Sequence, residues 1–70
     1  MKISARNVLR GTVTAVTRGA VNSEVVLRLA GGQRIVSIIT NASAKSLGIR
    51  RGKTAYAVIK ASSVMIGVDD

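Results

Sequence analysis

Two runs of alternating residues separated by a glycine-rich tetrapeptide constrain this chain more than any other feature. Residues 23–29 place Val25, Leu27 and Leu29 on one side and Glu24, Val26 and Arg28 on the other. That period of two is the pattern of a strand. Ala30-Gly31-Gly32-Gln33 follows, and glycine tolerates the positive φ that tight hairpin turns need. Residues 34–40 return, with Ile35, Ser37 and Ile39 on one face and Arg34, Val36, Ile38 and Thr40 on the other. Neither face of this second run is cleanly polar. A hairpin with apolar residues on both faces is expected to be covered on both, which points to a second copy of the chain as the cover.

The remaining segments extend the pattern. Residues 8–17 are rich in β-branched side chains and read as a long first strand. Gly11 inside it signals a bulge, a bend or a close backbone approach. Residues 41–48 change character: Asn41 stands at an N-cap position and Gly48 at a C′ position, so a helix of about two turns is expected. Arg50-Arg51-Gly52-Lys53 is a basic turn, read as solvated. Residues 54–60 form a fourth strand, Ala61-Ser62-Ser63 interrupts, and residues 64–68 form a fifth, with Met65 expected in the core. Five short strands with one helix between the third and fourth is the order of an OB-fold-like barrel. An SH3-like barrel has no need of a helix there. The expected fold is all-β with one short helix, in a single domain over residues 1–70.

At 70 residues such a domain buries too little surface to be robust alone. It has no Cys and no His, so disulfides and Cys/His metal centres are excluded as staples. Glu24, Asp69 and Asp70 are the only acids, too few for a cage around a hard cation. Oligomerisation is the remaining route, and the 47% apolar content supplies its material.

The 11 basic residues give a net charge of +8, which calls for anionic partners. Tyr56 is the only aromatic residue, whereas single-stranded nucleic acids are normally stacked on several rings. Nucleic acid is therefore the disfavoured partner, although phosphate contacts alone keep a basic OB-fold nucleic-acid-binding protein as the alternative reading. Met1-Lys2 is followed by polar residues and no apolar run approaches a membrane span, so a cytoplasmic protein without a membrane partner is expected. General acid–base and nucleophilic catalysis need His, a tuned carboxylate or a base beside a nucleophile; none is present, and an enzyme is not expected.

Three polar clusters stand out. In extended Ser4-Ala5-Arg6-Asn7, Ser4 and Arg6 face the same side, joining a hydroxyl to a guanidinium with up to five donors. That pair suits a small oxyanion. Thr40-Asn41-Ala42-Ser43 starts the helix, where unpaired N–H groups attract oxyanions; simple capping by Asn41 is the plainer reading. Lys60-Ala61-Ser62-Ser63 ends the fourth strand with an ammonium followed by small residues, and a snorkelling lysine is the plainer reading there. Backbone N–H groups of Arg18-Gly19-Ala20-Val21 can form an anion nest.

Together, Ile3-Ser4-Ala5-Arg6-Asn7, Ile38-Ile39-Thr40 with Ser43, Leu47-Gly48 before a Gly-Lys turn, and residues 58–65 resemble the molbindins, the molybdate-binding Mop proteins of the TOBE domain family. The match runs in order over residues 3–67. The resemblance implies an OB-like fold, a homo-hexamer built as a trimer of dimers, and molybdate or tungstate bound between subunits for storage or homeostasis. It implies that Ser4, Arg6 and Lys60, with the backbone N–H groups of Ala5 and Ala61, meet Thr40 and Ser43 around the anion. Some members carry Ser where this chain has Ala61, so a side-chain contact there is missing. A second class of interfacial oxyanion site is also implied, and Gly19 and Val21 are the residues assigned to it.

Overall fold

A computed structural model describes residues Met1–Asp70. Four strands form one antiparallel sheet: β1 (Asn7–Arg18), β2 (Asn22–Leu29), β3 (Arg34–Thr40) and β4 (Thr54–Ile59). Their spatial order is β3-β2-β1-β4, so the long β1 and its hairpin partner β2 lie in the middle. A short helix α1 (Asn41–Ser46) links β3 towards β4, and a 3-10 turn covers Ala61–Ser63. The hairpin legible at residues 23–40 is present, with Gly32 at φ 89° in its turn.

The sheet curls into a half-barrel with an all-β fold and one short helix, but it has four strands rather than five. Residues 64–68 pair with nothing, and Met65, Ile66 and Val68 are 93%, 88% and 87% exposed. A strand needs a free edge to dock on, and the chain leaves the 3-10 turn without returning to either open edge, β3 or β4. Met65 is accordingly a surface residue and not part of the core.

Inside the curl, Val13, Val25 and Leu27 are buried, with Ile35, Ile39, Ile49, Ala55 and Ala57 packed against them. This core is small. Beside it the concave face opens into an apolar hollow of about 280 Å³ reached by Ile39, Leu47, Ile49, Ala57 and Ile59. On the outer face Val36 and Ile38 are each 60% exposed. In the single chain both faces of β3 are therefore left with apolar residues that lack cover.

The β1 irregularity sits between Val13 and Ala15, at Thr14, and not at Gly11. Gly11 is instead the close approach: a Cβ there would lie 2.8 Å from the Arg28 carbonyl oxygen. At the end of α1, Gly48 takes φ 63°. Its N–H donates to Lys45 O (3.0 Å) and Ile49 N–H to Ala44 O (2.9 Å), the paired bonds of a Schellman motif.

Candidate oxyanion site

Antiparallel pairing of Asn7 with Ile59 and Val8 with Val58 places the segment entering β1 beside the segment leaving β4. Asn7 Nδ2 donates to Ile59 O at 3.3 Å across that junction. Ser4, Ala5, Arg6, Val58, Lys60, Ala61 and Ser62 consequently line one open cleft of about 590 Å³. Two clusters that lie more than fifty positions apart in the chain thus form one site. None of the three carboxylates lines it, so a guanidinium and an ammonium share it with hydroxyls and backbone donors. The side-chain hydrogen bonds of the fold engage neither Arg6 nor Lys60. Such a donor set is complementary to a small oxyanion.

Ser62 belongs to this cleft and extends the set expected from sequence. Its only sequence signal is its position two residues after Lys60. A turn in the chain at Ala61–Ser63 brings its hydroxyl to the same cleft.

Thr40 and Ser43 lie elsewhere. Thr40 is the N-cap of α1: its Oγ1 accepts the Ser43 N–H at 3.0 Å and donates to Ser43 Oγ at 2.8 Å. The cap expected at Asn41 is therefore one residue earlier. Asn41 is occupied with holding α1 to the β1–β2 turn. Its Nδ2 donates to Gly19 O (3.0 Å), its Oδ1 accepts from Ser23 Oγ (2.6 Å), and its N–H donates to Val21 O (2.8 Å). A residue tied to three partners at once has lost its freedom to cap.

Because β3 and β4 are the opposite edges of the sheet, the Thr40–Ser43 pair and the Arg6–Lys60 cleft do not meet within one chain. The turn at Gly19 and Val21 stands with the helix, not with the cleft. There the Gly19 N–H donates to Asn22 O at 2.7 Å, and the Gly19 and Val21 carbonyls both accept from Asn41.

The TOBE domain family model matches residues 3–66. A probable molybdenum-pterin-binding protein of Haemophilus influenzae is 48% identical over 69 residues, which is 99% of this chain and 100% of that protein. MopII from Clostridium pasteurianum, solved in an apo form, superposes with a TM-score of 0.92 at 46% identity over 96% of this chain and 100% of its own. The cytoplasmic molybdate-binding protein ModG, solved with molybdate bound, superposes with a TM-score of 0.95 at 49% identity over 99% of this chain. This chain spans 49% of ModG's length. The alternative of a nucleic-acid-binding protein draws no support from these relatives.

Proposed function

The chain belongs to the TOBE domain family and within it to the molbindins, and on that premise we propose that it binds molybdate or tungstate between copies of itself. It acts as a binding protein for storage or homeostasis of the anion, not as an enzyme. The observation that carries this reading is the cleft in which Ser4, Arg6, Lys60 and Ser62 converge without a carboxylate.

Molybdate is a tetrahedral dianion with four acceptor oxygens and no donor at neutral pH. It requires converging donors and no thiolate or imidazole, which suits a chain without Cys or His. Charge-assisted hydrogen bonds contribute roughly 1.5–3 kcal/mol each, so five or six donors are enough for micromolar binding after desolvation and ordering costs. The cleft of one chain is far wider than one such anion and stands open to solvent between its two walls. Thr40 and Ser43 of a neighbouring copy close it in this reading, with the N–H groups of Ala5 and Ala61. Gly19 and Val21 belong to a second interfacial site.

Assembly follows from the same surfaces. The apolar hollow, Val36 and Ile38 towards the helix end of β3, and the unpaired apolar residues 64–68 all lack cover in the single chain. A homo-hexamer arranged as a trimer of dimers covers them. A cytoplasmic location fits the description of ModG, and no helix of this chain is long and apolar enough to cross a membrane.

Titration calorimetry with molybdate, tungstate and sulfate tests the proposal. Heat with the first two and a much weaker response to sulfate is the expected result. No heat with either, or equal affinity for sulfate, overturns it.

A further inference from the structure

On the outer face of the sheet, away from the cleft, two arginines stand directly opposite each other. Register pairs Arg28 on β2 with Arg34 on β3, and Thr12 on β1 with Arg28, so a row across three strands reads Arg34, Arg28, Thr12. Both arginines are exposed. Cβ atoms of such directly opposed residues lie about 4.5–5.5 Å apart, and like charges in that relation are destabilising. Arg10 lies on the same outer face two residues before Thr12, diagonal to Arg28 at about 7–8 Å.

No strand carboxylate relieves this charge. Glu24 is the only acid in the sheet, four residues from Arg28 along β2. That is about 13 Å at the rise of a strand, beyond the screening length of about 8 Å at physiological salt. The surroundings are shaped as well as charged. One hollow of about 540 Å³ is lined by Thr14, Val26 and Gly32 together with both Arg28 and Arg34. An adjoining one of about 300 Å³ shares Thr14 and Arg28 and adds Thr12 and Ala30. The irregularity between Val13 and Ala15 leaves Thr14 outside the β1–β2 register, and its hydroxyl makes only a long bond of 3.4 Å to Val26 O. Bulges of this kind re-aim a side chain.

We propose that this outer face is a second anion site, distinct from the Arg6–Lys60 cleft, and that it takes a polyphosphate. Arg28 and Arg34 grip one phosphoryl group with their planar donor forks, the Thr12 and Thr14 hydroxyls sit at its side, and Arg10 takes the next phosphoryl group. Three fixed cations without a carboxylate ask for a multiply charged ligand. A single tetrahedral dianion on so open a surface satisfies only two of them. The diagonal step to Arg10 is what distinguishes a chain of phosphates from a lone oxyanion.

The probe is inorganic pyrophosphate, titrated into the intact protein by calorimetry with orthophosphate, molybdate and a single-stranded oligonucleotide as comparisons. Pyrophosphate is expected to bind at least about tenfold more tightly than orthophosphate, and equally well when the protein is saturated with molybdate. The Arg28→Gln/Arg34→Gln protein is expected to lose about tenfold or more in pyrophosphate affinity while its molybdate heat is unchanged. Displacement of pyrophosphate by molybdate, or wild-type pyrophosphate binding by the double variant, overturns the proposal. An oligonucleotide that binds more tightly than pyrophosphate and excludes it overturns the small-molecule reading. The melting temperature gives an independent readout. Arg34→Gln is expected to melt higher than wild type at low salt, and to lose that advantage in pyrophosphate. A variant that melts lower than wild type without ligand overturns the premise of an unrelieved like-charge pair.

Discussion

Asn7 and Ile59 face each other across the β1–β4 ladder, and the Asn7 carboxamide donates to the Ile59 carbonyl at 3.3 Å. This one bond fastens the N-terminal donors to the strand whose next residue is Lys60. Asn7→Ala is expected to cost about 0.5–1.5 kcal/mol of stability, the usual range for one intramolecular hydrogen bond. It is also expected to weaken molybdate binding several-fold by loosening the two walls of the cleft. Calorimetry and thermal melting of the same protein measure both. Full affinity in the variant would mean that the walls are held by the backbone ladder alone.

Arg6 and Lys60 carry the two charges of the cleft. Arg6→Ala and Lys60→Ala are each expected to weaken molybdate binding by roughly 10- to 150-fold, the equivalent of one charge-assisted hydrogen bond of about 1.5–3 kcal/mol. Arg51→Ala, in the turn before β4, is the control and should bind as wild type. Equal losses in all three variants would reduce the effect to net charge.

The separation of Arg6 and Lys60 from Thr40 and Ser43 across the sheet allows a complementation experiment. An Arg6→Ala/Lys60→Ala chain and a Thr40→Ala/Ser43→Ala chain should each bind poorly alone. Unfolded together and reassembled, they should recover about a quarter of the sites, since random mixing pairs an intact cleft with an intact helix start that often. No recovery in a mixed assembly would mean that Thr40 and Ser43 do not close the cleft of a neighbouring copy.

Gly11 is packed so that a Cβ would press on the Arg28 backbone oxygen at 2.8 Å. Backbone atoms in the middle of a sheet cannot swing aside as a side chain can. Gly11→Ala is therefore expected to destabilise by about 1–3 kcal/mol, read as a lower melting temperature. Gly67 is the contrasting site: a Cβ there would meet nothing within 4 Å, and Ala should be neutral.

Residues 64–68 supply the assembly prediction. Met65→Asp/Ile66→Asp should lower the mass of the protein in solution without unfolding β1 to β4, because neither side chain is buried within the chain. Light scattering and far-UV circular dichroism read the two halves of that expectation. An unchanged mass would assign the segment to solvent.

Much of this fold is legible in its residues. The alternation at 23–29 and 34–40 specifies the hairpin, and Gly48 marks the helix end because left-handed backbone there favours glycine. The cap is not legible: Thr40 and Asn41 are both competent, and only Gly19, Val21 and Ser23, distant in sequence, decide that Asn41 is engaged elsewhere. The irregularity in β1 falls at Thr14 rather than Gly11 for a related reason. A glycine permits a bulge but does not require one, and at Gly11 the missing side chain serves close packing instead. A fifth strand does not form because β-branched, apolar composition describes what can pair and says nothing about whether an edge is within reach. The Arg6–Lys60 half of the site follows from two clusters and the ladder that joins them. The part proposed for Thr40 and Ser43 is not legible in one chain, because they stand at the far edge of the sheet from β4.

The small core has a further consequence. With Val13, Val25 and Leu27 the only large apolar residues buried in the single chain, the proposed assembly would withdraw much of the remaining hydrophobic surface from water. Folding is then coupled to dilution: the midpoint of thermal unfolding rises with the amount of protein in the tube, and anything that bridges copies raises it again. A cell that holds this protein sparsely and one that holds it abundantly contain, in thermodynamic terms, differently durable molecules of the same sequence.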